Sequence, residues 1–139
     1  MNTVRGPVSS GATSWSRIVL PGSPPVPARV YLPHGRPVGL LVWAHGGSWQ
    51  RGSAAEWHHS TAALAAWSGW SVISVDYRLA PRHRHPSAVQ DILTALAWAC
   101  GEAAGLPLAV GGDSAGGTLA ASAALAARDR GLPLAAQVL

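Results

Sequence analysis

The sequence predicts an α/β fold, with a doubly wound and mostly parallel sheet that opens on an antiparallel hairpin. Three observations lead to this prediction. Apolar runs alternate with helical segments from residue 38 to the end of the chain. The run at 38–44 is apolar without alternation, which is typical of a strand buried on both faces. Two short strands joined by a Pro/Gly turn precede it, and the β-α-β-α-β-α-β order that follows requires right-handed crossovers.

The first elements form the hairpin. Residues 1–15 are polar and rich in Gly and Ser, so we expect a poorly ordered lead-in. Strands are predicted at 16–20 and 26–32, because the Pro-Gly-Ser-Pro-Pro turn at 21–25 separates two β-type runs. We expect one α/β domain to occupy residues 16–139.

The later elements follow from apolar periodicity, β-branched content and Gly/Pro punctuation. In chain order they are a strand at 38–44, a helix at 54–68, a strand at 70–76, a helix at 86–104, a strand at 106–110, a helix at 118–130 and a strand at 134–139.

Composition narrows the function classes. Apolar residues make up 48% and charged residues 12%, which is a globular composition. The net charge is +4, but Lys is absent and the arginines are scattered, apart from a basic cluster at 82–85. Nucleic-acid binding needs a basic face with interleaved aromatics, so we expect no nucleic-acid partner.

The expectations for compartment and cofactors depend on features that are missing from the sequence. Cys100 has no second cysteine for a disulfide, and no histidine pair has metal-ligand spacing with a third ligand, so we expect neither metal nor cofactor. We find no signal peptide and no run near the roughly 20 apolar residues of a membrane span. The expectation is a cytoplasmic protein of unknown oligomeric state.

The motif that most clearly indicates chemistry is G-D-S-A-G at 112–116. It lies between the predicted strand at 106–110 and the predicted helix at 118–130. A strand that turns at once into a helix strains the central residue, and its neighbours two positions away must be small. Ser114 is thereby held out at the carboxyl end of the sheet. A phosphate-binding turn is disfavoured, because there is no G-x-x-x-x-G-K-[ST] and no Lys.

A serine hydroxyl held out in this way can accept an acyl group. That reaction needs N–H donors for the oxyanion that develops on the carbonyl oxygen. Ala115 supplies one at the start of a helix, where backbone donors are unpaired. The Gly-rich loop at 46–48 follows another strand end, and its backbone can approach a ligand closely.

Three motifs in register resemble the hormone-sensitive-lipase-like branch of the α/β-hydrolases. Residues 45–49 read H-G-G-S-W, 76–81 read D-Y-R-L-A-P and 112–117 read G-D-S-A-G-G, where that branch has H-G-G-G-[FW], D-Y-R-L-A-P-E and G-D-S-A-G-G. The resemblance implies hydrolysis of a small carboxylic ester through an acyl-enzyme. By motif match Ser114 is the nucleophile. The oxyanion hole is implied at Gly46, Gly47, Ser48 and Ala115. The N–H donors would be those of Gly47, Ser48 and Ala115, and Gly46 would shape the loop.

Five residues are expected to support the site: His45, Trp49, Asp76, Arg78 and Asp113. His45 is interpreted as shaping the oxyanion loop and Trp49 as part of the acyl or alcohol pocket, whereas the other tryptophans are interpreted as packing residues. We expect Asp76, Arg78, Asp91 and Asp113 to form a buried polar network, with Arg78 paired to one of the aspartates.

Two residues depart from the family pattern. Ser48 replaces the third glycine of the first motif, so it would be strained if that position requires a positive φ. Arg82 stands where the family has Glu, which reverses a charge near the site.

The partners of a catalytic serine are missing downstream. All six histidines precede Ser114, and Asp129 lies about 22 Å further along the same predicted helix. We therefore expect the N-terminal portion of a serine carboxylesterase that lacks the acid and base of its triad, with little or no turnover. The alternative is a non-catalytic, truncated or decayed α/β-hydrolase domain. Acyl and alcohol preference stay open.

Overall fold

A computed structural model describes residues 13–139, so most of the lead-in predicted at 1–15 lies outside the described residues. The elements of the described part are β1 (Ser14–Leu20), β2 (Val26–Leu32), β3 (Leu40–Ala44), α1 (His58–Ser68), β4 (Ser71–Val75), α2 (Ser87–Glu102), β5 (Leu108–Gly112), α3 (Ala115–Asp129) and β6 (Ala136–Val138).

These strands form one sheet in the order β1-β2-β4-β3-β5-β6. The β1–β2 and β2–β4 pairs are antiparallel and the other pairs are parallel, which confirms the mostly parallel sheet with an opening hairpin. Ala44 pairs with both Val75 and Gly112 across the central strands. The loops after β3, β4 and β5 therefore leave the sheet at the same edge, as expected for a ligand site of this fold.

The sheet is covered on both faces. Val42 belongs to the core formed with α2 and α3, whereas Leu41 belongs to a smaller core formed with α1. Neighbouring side chains of β3 thus point into different cores, which explains why the run at 38–44 does not alternate. On α3, Ala120 and Ala123 are fully buried, and their small side chains let the helix lie close to the sheet.

Several boundaries differ from the sequence prediction, and two of the differences have a clear physical cause. The helix expected from residue 54 begins at His58, because Asp76 Oδ1 accepts the Ala54 N–H at 2.7 Å and residues 54–57 form turns. The strand expected at 106–110 runs over Leu108–Gly112. Its final glycines pair with β3, so two residues assigned to the turn by their type are strand residues.

Candidate active site

Ser114 occupies a sharp turn between β5 and α3. Its backbone has φ 52° and ψ −122°, and the residue is exposed. Such a conformation costs a non-glycine residue on the order of 1–3 kcal/mol. Close packing enforces it: a Cβ on Gly112 would overlap the Gly116 backbone, and a Cβ on Gly116 would overlap the Ala44 carbonyl. The G-x-S-x-G spacing predicts this strand–turn–helix geometry because the two glycines must lack side chains for the strand and the helix to pack this closely.

The loop after β3, which we call the oxyanion loop (residues 45–52), is supported by a buried histidine. His45 Nδ1 lies 2.6 Å from the Gly46 oxygen, and because a carbonyl only accepts, Nδ1 must carry a hydrogen. The Tyr77 hydroxyl donates to the His45 oxygen at 2.6 Å, and the two rings stack with centroids 4.3 Å apart. Burial, with a smaller contribution from Asp113, raises the pKa of Tyr77 to about 12, so this donor stays protonated at neutral pH.

The same loop presents free backbone donors. Gly47, Ser48 and Trp49 have φ of 125°, 54° and 61°, so the departure at Ser48 does fall on a position with positive φ. Among residues 13–139, the N–H groups of Gly47, Ser48 and Ala115 have no acceptor. Gly46 differs, because its N–H donates to Asp113 Oδ1 at 3.2 Å. Gly46 was expected to shape the loop, and its N–H is engaged by this carboxylate.

Asp113 connects three segments of the site. Besides the Gly46 N–H, its Oδ1 accepts the Trp57 indole N–H at 2.9 Å. The interpretation of Trp57 as a packing residue was incomplete, since its N–H holds the carboxylate next to Ser114. The sequence signal for this contact is weak, because the partners are 56 positions apart.

Arg78 is paired as expected. Its Nε and Nη2 lie 2.9–3.1 Å from the two carboxylate oxygens of Asp91, which also accepts the Arg78 backbone N–H at 2.8 Å. The hydrogen bond to Asp91 raises the pKa of Arg78. The expectation of one polar network is wrong, however, because Asp76 binds the Ala54 N–H and Asp113 binds Gly46 and Trp57. These are three separate anchors of the loops around Ser114.

A cleft of about 400 Å³ opens beside these loops, and we refer to it as the cleft. Ser48 and Trp49 of the oxyanion loop form one side, and Thr118 and Leu119 of α3 form another. The third side is the loop after β4, which is tied to the oxyanion loop by the Ala80 N–H donating to the Trp49 oxygen at 2.9 Å. Trp49 is 45% exposed and lines the cleft, where a pocket residue was predicted.

Two features are absent from residues 13–139. No three His, Cys, Asp or Glu side chains there lie close enough together to hold a metal ion. None of the helices in this range combines the length and the apolar character that a membrane crossing needs.

Comparison with known proteins supports the family resemblance. A profile of the alpha/beta hydrolase fold family matches residues 41–139. An arylesterase of Saccharolobus solfataricus is 42% identical over an alignment of 119 residues, which covers 81% of this chain and 39% of that protein. The carboxylesterase NlhH of Mycobacterium tuberculosis is 41% identical over an alignment of 118 residues, which covers 78% of this chain and 36% of that protein.

Solved structures agree. An esterase of Pyrobaculum calidifontis superposes with a TM-score of 0.85 at 44% identity, covering 90% of this chain and 43% of that one. A bacterial heroin esterase gives a TM-score of 0.86 at 36% identity, covering 94% and 45%. The chain thus spans less than half the length of the relatives and structures it matches here. By its sequence profile and its sheet, the chain belongs to the α/β-hydrolase fold family, and its relatives are carboxylesterases like those of the hormone-sensitive-lipase-like branch.

Proposed function

We propose that this chain carries the nucleophile side of a carboxylic ester hydrolase site, with Ser114 as the nucleophile. The observation that carries the proposal is the exposed Ser114 on a strained turn directly before the first residue of α3. The relatives described as arylesterase and carboxylesterase support the same reaction class.

In this reaction the Ser114 Oγ bonds to the ester carbonyl carbon. The ester C–O bond breaks, and the alcohol leaves with the proton that the hydroxyl gives up. Water then attacks the acyl-enzyme, breaking the bond to Oγ, releasing the carboxylic acid and restoring the hydroxyl.

The negative charge that develops on the carbonyl oxygen would be met by the N–H groups of Gly47, Ser48 and Ala115. A preorganised donor of this kind typically contributes about 2.7–4 kcal/mol to transition-state stabilisation. Ala115 adds the favourable field of a helix N-terminus, because it is the first residue of α3. Gly46 and Asp113 would hold the loop in place through their hydrogen bond.

Proton transfer sets the expected rate. Among residues 13–139 no histidine hydrogen-bonds to Ser114. Serine hydrolases that keep their oxyanion hole but lose a triad member retain roughly 10³–10⁴-fold catalysis over water. The expected readout for this chain is therefore acylation of Ser114 with slow turnover.

A fluorophosphonate reagent tests the proposal directly, because it phosphonylates a reactive serine without requiring turnover. The expected result is one label per chain, mapped to Ser114 by peptide mass spectrometry. Ser114→Ala should remove the label, whereas Ser60→Ala, an exposed serine on α1, should keep it. No labelling, or labelling of another residue, would overturn the proposal and favour the non-catalytic domain.

A further inference from the structure

The proposed reaction leaves the basic cluster at 82–85 without a role. This segment reads R-H-R-H, and His83 and His85 line the cleft. Arg82 and Arg84, which alternate with these histidines, are exposed. Arg82 stands where the pattern of the resembled family has Glu, so the cluster carries positive charge at a position that is negative in that pattern.

Within residues 13–139, no acidic residue lines the cleft to neutralise that charge. Arg78 also lines the cleft, but the ion pair with Asp91 compensates its charge. The Asp91 carboxylate accepts hydrogen bonds from Arg78, and the Asp76 carboxylate accepts the Ala54 N–H. The Nη1 of Arg78 has no acceptor among residues 13–139. The remaining polar lining groups, such as Gln50 and Ser122, are uncharged. A ligand group with negative charge therefore meets only neutral or basic side chains in the cleft.

The rest of the wall is aliphatic and adjoins the proposed reaction centre. Leu119, Val89 and Ala88 provide apolar surface. Thr118 lies in the first turn of α3, and its backbone N–H donates to the Ser114 oxygen at 3.3 Å. Ser48 both lines the cleft and belongs to the oxyanion loop. A short aliphatic chain can thus run from the ester carbonyl into the cleft.

We propose that the cleft selects esters that carry a free carboxylate a few methylene groups from the ester carbonyl. His83 and His85 contact that carboxylate, and Arg82 and Arg84 contribute a favourable field from the rim. This inference rests on the proposed function for the position of the ester, but binding of the carboxylate can be tested separately.

The kinetic test compares the mono-p-nitrophenyl ester of glutaric acid with p-nitrophenyl pentanoate, which has the same chain length without the charge. The rate of p-nitrophenolate release is measured for both esters at low ionic strength. Reversing one charge about 8 Å from the carboxylate should lower the anionic-to-neutral rate ratio about fivefold in Arg82→Glu. Added salt should reduce this difference, because both charges are exposed.

Arg36→Glu is the matched control, since it makes the same change in net charge in the β2–β3 turn, at the sheet edge opposite the cleft. It should leave the ratio unchanged. An unchanged ratio in Arg82→Glu, or an equal change in Arg36→Glu, would overturn the proposal. If neither ester acylates the wild-type chain, the proposed function fails, and the binding measurement decides on the cleft alone.

Binding is measured by NMR of the imidazole Cε1–H signals, assigned with His83→Gln and His85→Gln. The probes are the monoamide of glutaric acid and pentanamide, neither of which is an ester. We expect the two signals to shift with the anionic amide and not with the neutral one. Equal shifts with both amides, or shifts with neither, would contradict carboxylate binding in the cleft.

Discussion

The Trp57 indole N–H donates to Asp113 Oδ1 at 2.9 Å and so joins the turn ahead of α1 to the residue that precedes Ser114. The same oxygen accepts the Gly46 N–H, which fixes the start of the oxyanion loop. One carboxylate oxygen therefore sets the distance between the proposed nucleophile and its proposed donors. Tyr77 supports the opposite side of that loop through His45.

Trp57→Phe tests this connection. The substitution keeps most of the ring packing but removes the donor to a charged group, a hydrogen bond typically worth about 1.5–3 kcal/mol. We expect a free energy of unfolding lower by about 1–2 kcal/mol, measured by urea denaturation, because the residue is half-buried. Labelling of Ser114 by the fluorophosphonate should also slow.

Trp67→Phe is the control, since Trp67 is 88% exposed and no hydrogen bond of its side chain is present among residues 13–139. It should change neither stability nor labelling. Equal effects of the two substitutions would show that the Trp57–Asp113 contact has no special role.

The turn at Ser114 and the sheet could be predicted because their causes are local. Gly112 and Gly116 are required by the approach of α3 to β3, and an apolar run without alternation identifies a strand covered on both faces. The anchors around the site could not be predicted in the same way. The choice of the aspartate that accepts the Trp57 N–H depends on how loops distant in sequence come together. Hydrophobic periodicity carries no information about such contacts.

The first boundary of α1 shows the same limitation. The apolar pattern extends back to residue 54, but Asp76, from the loop after β4, captures the Ala54 N–H. A contact between distant segments thus overrides the local preference for helix. Arg78 is an intermediate case, because so few charges surround the site that its pairing with an aspartate could be expected, although not the choice of Asp91.

Ser48→Gly should stabilise the protein. A non-glycine residue with left-handed φ costs about 1–2 kcal/mol, and Ser48 has φ 54°. Glycine removes that cost but loses about 0.5–1 kcal/mol through the greater entropy of the unfolded chain. The expected net gain is up to about 1 kcal/mol in urea denaturation. Ser48→Val, with a β-branched side chain, should be destabilising, and a Ser48→Gly variant less stable than the parent would contradict the strain argument.

Arg78→Met should be strongly destabilising. The Asp91 side chain is only 3% exposed, so removing its partner leaves a buried carboxylate without charge compensation. Breaking a buried pair in this way costs about 3–5 kcal/mol, and the lower value is expected here because Arg78 is 25% exposed. The measurement is the free energy of unfolding of the single variant and of the double variant Arg78→Met with Asp91→Leu.

The double variant should recover much of the loss, since it removes the buried charge as well as the partner. If the double variant is as unstable as Arg78→Met, packing of the arginine stem, and not the unpaired carboxylate, dominates the effect.

Protonation of His58 should lower the free energy of unfolding in acid. Its Nδ1 accepts the Tyr31 hydroxyl at 2.9 Å and lies 3.3 Å from Arg29 Nη1. Burial, then the Arg29 charge and His59, lower the pKa of His58 below its usual 6.5. The unfolded chain therefore takes up the proton first as the pH falls, so the contribution of His58 is complete above pH 6.5 and is lost as the pH drops through the folded pKa.

The measurement is the free energy of unfolding at pH 7.5 and at pH 5 for the parent, His58→Gln and His34→Gln. The parent should lose more stability between these pH values than His58→Gln does. His34→Gln should behave as the parent, because His34 is exposed in the β2–β3 turn. Parallel pH profiles for the parent and His58→Gln would contradict the assignment, since the proton uptake would then occur at another group.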